Sequence, residues 1–182
     1  MSDTELNNAN EECISEGLSE AYLYFIHNVM HEFQSAILAL ENDSCTIMEL
    51  HSIMSKLINS LQSRRKDCFY GSRVLVIFKN ISNNDVKALI EANQFLTNAI
   101  SYLEQRYDFG DESIYKHISV LNLKQSLLSW DTLAELPKIL QISNSIDNDM
   151  LYTDYCCLRE VFDQLPKDIP IDKIWSYFFQ KM

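Results

Sequence analysis

Few residues of this 182-residue chain stand at the spacings that chemistry needs. His27 and His31 are four apart, so on a helix both imidazoles lie on one face, as two ligands of a metal would. The zincin pattern also needs Glu directly after the first His, and Asn28 stands there. The adjacent Cys156 and Cys157 lack the two-residue spacer of zinc or redox pairs. On a helix their side chains diverge by about 100°, which predicts one in the core and one at its boundary. His51 and His117 have no chemical partner in the sequence and read as boundary residues. Asp147-Asn148-Asp149 opens like a calcium loop but lacks the Gly and the closing Glu. Asp108-Phe109-Gly110 spells the kinase metal-binding tripeptide with no phosphate loop, strand lysine or catalytic loop around it. Three glycines leave no room for a P-loop or a dinucleotide fingerprint. Acidic pairs such as Asp111-Glu112 are brought to a pocket by no pattern. The expectation is therefore no catalytic, metal-binding or cofactor-binding residue: a chain that is not an enzyme and takes no cofactor or small-molecule substrate.

Charge narrows the partners. The chain has 15 basic and 26 acidic residues, a formal charge of −11 and a pI near 4.7. Asp3, Glu5, Glu11, Glu12, Glu16 and Glu20 fall within the first 20 residues, which hold no Lys or Arg. That acidic, Asn-rich start predicts a disordered tail over 1–15, ahead of one folded domain over 16–182. Nucleic-acid affinity comes mainly from Lys and Arg neutralising phosphates, so no direct nucleic-acid binding is expected. The one basic cluster, Arg64-Arg65-Lys66, reads as a helix C-terminus that complements the macrodipole. The first 17 residues have no basic or apolar region of a leader peptide. No apolar run is long enough to span a membrane. The five cysteines are irregularly spaced and read as free thiols. An intracellular protein, nuclear or cytoplasmic, with no membrane partner, is the expectation.

The elements that would carry any site are helical almost throughout. Twenty aromatics and 47% hydrophobic residues are enough for a sizeable core, and the scarcity of Gly and Pro argues against an all-β fold. Leu18, Tyr22, Phe25, Ile26, Val29, Met30, Phe33, Ile37 and Leu40 follow steps of three and four, predicting one helix face that ends near Asn42. Asp43, Ser44 or Thr46 is placed to cap the next helix, with the stripe Ile47, Leu50, Ile53, Met54, Leu57, Ile58 and Leu61. Val74–Phe78 fits a buried strand or a short helix, and the lack of a partner strand favours the helix. Ser82 or Asn84 caps a helix over 84–107 whose Val86, Leu89, Leu96, Ile100, Leu103 and Tyr107 keep heptad spacing, with Asn93 at an a position and Gly110 as C-cap. It reads as a central bundle helix. A short helix near Ile114–Leu123 and one over 129–142, kinked or split by Pro137, come next. One from Asp147 or Asp149 to about Leu165 and an aromatic helix from Ile171 to Phe179 complete the chain. The fold class is all-α, an irregular bundle of about six to eight helices.

Leu61-Gln62-Ser63-Arg64-Arg65-Lys66-Asp67-Cys68-Phe69-Tyr70-Gly71-Ser72-Arg73-Val74 resembles a segment of animal hAT-type transposase-derived proteins. Ala99-Ile100-Ser101-Tyr102-Leu103-Glu104-Gln105-Arg106-Tyr107-Asp108-Phe109 resembles a later helix of theirs, and Lys116–Lys124, Ser129-Trp130, Leu165-Pro166, Trp175 and Phe178-Phe179 continue the likeness over roughly 20–182. The resemblance implies a helical region between the halves of a ribonuclease-H-like core, leading to a C-terminal dimerisation region. The family's catalytic carboxylates lie outside this region, and the chain has neither the Glu-Arg-x-Phe-Ser stretch nor a BED zinc finger. No catalytic residue carries over. What is implied is a truncated, non-catalytic, transposon-derived module, domesticated or a fragment, that works through protein–protein contact or self-association.

A competing expectation is an unrelated helical adaptor that docks a partner helix in an apolar groove. For either, the expected interaction surface is Leu96, Ile100 and Leu103 on the heptad helix and Trp175, Phe178 and Phe179 on the aromatic one.

Overall fold

A computed structural model describes residues 3–80, 85–124 and 126–181, with side chains over 17–79, 89–124 and 126–181. Among the described residues the fold is all-α: eight α-helices, two 3₁₀ turns and no strand. The helices are α1 (Asp3–Leu40), α2 (Ile47–Lys66), α3 (Ser72–Asn80), α4 (Asp85–Arg106), α5 (Ile114–Ser119), α6 (Trp130–Ile139), α7 (Asn148–Val161) and α8 (Ile171–Lys181). The chain divides into two compact units, Met1–Ile37 with Lys56–Tyr107, and Leu38–Ser55 with Asp108–Met182. Helices α1 and α2 each give residues to both. The expected tail over 1–15 falls on the start of α1, whose backbone is helical from Asp3; its side chains lie outside the described residues, as do Ser82, Asn84 and Val86.

In the first unit, Ala21, Phe25, Val29 and Ala36 of α1 are buried together with Leu57, Ile58 and Leu61 of α2. Val74 and Phe78 of α3 and Ala92, Leu96 and Ile100 of α4 complete this core. The Phe25 ring meets Tyr70 edge-on at 5.9 Å and Phe95 at 5.5 Å. The apolar run Val74–Phe78 is helical, as the missing partner strand predicts. Asn93 is exposed, so the heptad pattern of α4 serves a bundle face with Leu96 and Ile100 as its inner positions.

The second unit has its own core. Leu123, Leu128, Leu158, Leu165, Ile174 and Phe178 pack together, and Leu133, Val161 and Trp175 pack against them. Helix α6 contacts both α5 and α7. The Trp175 indole N–H donates to the Leu121 carbonyl at 3.0 Å. Capping follows side-chain chemistry. Asp147 accepts from the backbone N–H groups of Asp149 and Met150, and Ser129 from that of Thr132. Thr46 caps α2 in half a capping box, its backbone N–H donating to Glu49 at 3.2 Å.

Helix C-termini depart from expectation. Gly110 is not the C-cap of α4; that helix ends at Arg106, and Gly110 sits in an Asx turn, its N–H donating to Asp108 at 2.9 Å. Pro137 does not split α6, because it lies in the last turn, where only the Leu133 carbonyl loses a partner. Both α2 and α6 close instead in paired Schellman bonds around a left-handed residue that is not glycine. After α2, Phe69 N–H reaches the Arg64 carbonyl and Cys68 N–H the Arg65 carbonyl, with Cys68 at φ 50°. After α6, Ile142 N–H reaches the Pro137 carbonyl and Gln141 N–H that of Lys138, with Gln141 at φ 58°. A side chain in this conformation costs roughly 1–2 kcal/mol, and glycine's greater freedom when unfolded takes part of that back. Gln141→Gly is thus expected to raise stability by up to about 1 kcal/mol, read as a higher urea midpoint. A lower midpoint would show that the Gln141 side chain contributes more than its strain costs.

Candidate interaction surface

Five of the six residues expected to form an interaction surface are buried or half-buried. Leu96 and Ile100 are buried in the first unit's core and Leu103 is half-buried there. Phe178 is buried in the second unit, and Trp175 is half-buried, its indole tied to Leu121. Only Phe179 is open, at 62% exposure, and its ring stacks on Trp175 at 5.9 Å. In each unit these side chains close the core, the ordinary fate of apolar residues at helical spacing.

A line of open apolar side chains runs along α1. The single face predicted from Leu18 to Leu40 is two stripes. Ala21, Phe25, Val29 and Ala36 point inward. Leu23, Met30 and Ile37, seven apart, are 68%, 48% and 49% exposed, and Ile26 and Phe33 between them are half-buried. At about 100° per residue the second stripe is centred roughly 110° from the first. One helix can press only one of these against its own unit. The sequence did carry the signal, in the exact seven-residue repeat of Leu23, Met30 and Ile37 beside an inner face built partly on small alanines. Beside the middle of α1 the same unit has a groove of about 560 Å³, lined by Leu18, Tyr22, Leu23, Phe25, Val74 and Phe78.

Polar groups in the first unit gather around Arg64. Its guanidinium donates to Asn28 and, at 2.6 Å, to Glu32, and it lies 5.7 Å from the centre of the Phe69 ring. Both side chains of the ion pair are mostly buried. Burial alone would raise the Glu32 carboxyl, but bonds from Arg64 and Ser60, with the charges of Arg64 and His31, outweigh it and hold the group below its ordinary 4.5. Gly71, at φ 121°, brings its backbone against the Asn28 side chain; a Cβ there would sit 3.4 Å from the Asn28 amide carbon. Burial and the neighbouring Cys68 push the Tyr70 hydroxyl up to about 12.

The residues whose spacing suggested chemistry are scattered. His27 and His31 are both exposed. Cys156 and Cys157 are both half-buried, rather than one in the core and one at its boundary, because Tyr155 and Leu158 take the inner positions of α7. His51 does have a neighbour: its Nε2 lies 3.3 Å from the Ser55 hydroxyl, and burial together with Lys116 lowers its pKa. In the second unit Lys124 pairs with Glu49 at 3.2 Å. Lys167 donates to the Leu123 carbonyl at 2.9 Å and stands 3.5 Å over the Phe162 ring; burial lowers its pKa, against the pull of Asp163. Among the described residues no three His, Cys, Asp or Glu side chains gather as metal ligands would, and no helix is long and apolar enough to cross a membrane. Compared with protein-family models, curated proteins and solved structures, the chain matches none.

The Arg64–Glu32 pair gives a pH prediction. A carboxyl held low in the folded state contributes stability that is complete above its unfolded value of about 4.5 and is lost as pH falls through the folded value. Arg64→Met leaves Glu32 buried and unpaired, and is expected to cost about 1–3 kcal/mol at neutral pH. The gap in urea midpoint between wild type and variant should narrow as pH drops below 4.5. A gap that holds constant to low pH would assign the loss to Arg64 packing instead.

Proposed function

We propose that this chain is a non-catalytic helical module that works through protein–protein contact. The observation that carries this reading is the outer stripe of α1, where Leu23, Met30 and Ile37 face outward along one line. Contiguous apolar surface of this kind marks contact sites. The origin proposed with it, a transposable-element relative of hAT type, rests on the likeness over Leu61–Val74 and Ala99–Phe109. Arg64, Phe69, Tyr70 and Gly71 build the turn between α2 and α3, while Ile100 and Tyr107 fill the core. The groove lined by Leu18, Tyr22, Leu23, Val74 and Phe78 favours a second reading, an adaptor unrelated to transposases that seats a partner helix there.

The purified full chain, incubated with magnesium or manganese and with supercoiled or linear DNA, is expected to give no strand cleavage or joining. Metal-dependent products that track with the protein through purification would end the non-catalytic reading.

A further inference from the structure

Resting on the contact reading above, we infer from the geometry of α1 that the partner at its outer stripe is a second copy of this chain.

Leu23, Met30 and Ile37 repeat every seven residues, and Ile26 and Phe33 fall three after the first two, which is the a/d pattern of a paired helix seam. The two positions flanking the stripe on its outer side, His27 and Gln34, are exposed and uncharged when His is neutral. The stripe from Leu23 to Ile37 is about 22 Å long.

Charge selects the occupant. The chain carries −11 overall, so most ways of bringing two copies together are repulsive. The stretch from Ala21 to Leu40 is the exception. Its single charged residue is Glu32, and that carboxylate is already neutralised by Arg64 on the inner side. A partner chosen by charge would need basic groups facing acidic ones, and the stripe offers none. A second copy brings a matching neutral, apolar line, and a seam of this kind is self-complementary about a two-fold axis.

Area sets the strength. Covering the open parts of Leu23, Met30, Ile37 and their flanks on both copies removes on the order of 1,000 Å² from water, the lower bound of a specific interface. The dimer is therefore weak and in exchange with monomer, and it tightens with added salt as the acidic bodies are screened.

The test is analytical ultracentrifugation of the full chain over a wide concentration range, with the far-UV circular dichroism of each sample. The wild type is expected to move from 21.2 kDa toward twice that mass as concentration rises. Leu23→Glu with Met30→Glu is expected to weaken association at least tenfold while keeping helicity, because both side chains are already open to water. Ile90→Glu, on an equally open position of α4, is expected to leave association intact. Should the double glutamate lose helicity, the uncharged Leu23→Gln with Met30→Gln takes the same reading. A wild type that stays monomeric throughout, or a dimer indifferent to the α1 substitutions, overturns the inference. Either result leaves the non-catalytic reading to the DNA assay, which does not depend on oligomeric state.

Discussion

The Arg64 guanidinium fixes the first unit at its tightest point. It sits in the last turn of α2 and binds Asn28 and Glu32, one turn apart on α1. That grip, with the Ser60 bond to the same Glu32 carboxylate, sets the register between two helices whose apolar contacts alone would tolerate sliding. It also sets the exit of the chain. The Phe69 ring lies beside the guanidinium, Cys68 turns left-handed to reach it, and Gly71 then passes against Asn28. Tyr70 is thereby delivered to the Phe25 ring, and α3 starts where Val74 and Phe78 can enter the core. A buried ion pair is weak evidence of net stability, because desolvating both charges offsets much of their attraction. Its value here is specificity: only one placement of α1 against α2 satisfies Arg64.

With that placement fixed, the surplus on α1 follows from geometry. A helix presents roughly a third of its circumference to its neighbours. Helix α1 is apolar over more than half, so the Arg64 grip decides which stripe is covered, and Asn28 and Glu32 bring Ala21, Phe25, Val29 and Ala36 in with them. This division was only partly legible in the sequence, in the seven-residue repeat of Leu23, Met30 and Ile37. Steps of three and four join both stripes into one broad face, and alanines carry little weight in an apolar pattern though they permit the closest helix approach. Periodicity identified the helix and its end near Asn42. It could not say which side would be covered, since that depends on an arginine 27 residues beyond Ile37.

The second unit was legible in a different way. Its caps are side chains with a local mechanism, so the start of α7 could be narrowed to Asp147 or Asp149, and Asp147 is the one that accepts from two backbone donors. The aromatic helix α8 could also be located, and Trp175 anchors it through Leu121. Helix ends were harder wherever the signal is glycine. With three glycines in the chain, the left-handed positions after α2 and α6 fall to Cys68 and Gln141, neither of which announces such a conformation. Gly110, the glycine that looked like a cap, satisfies an aspartate turn beyond the helix end.

Chemistry was illegible for a physical reason. A reactive site needs polar groups converging from several elements, and spacing along one chain does not show which groups converge. Glu49 serves Thr46 and Lys124, Asp147 serves its own helix, Lys167 serves a carbonyl, and Glu32 is held by Arg64. Each is occupied in building the fold. Leu23, Met30 and Ile37 stay open along α1, on a stretch from Ala21 to Leu40 whose one charged residue is Glu32. A neutral stripe on a body of −11 is where repulsion between like molecules is least, so the charge that keeps this chain apart from itself elsewhere is what singles out α1.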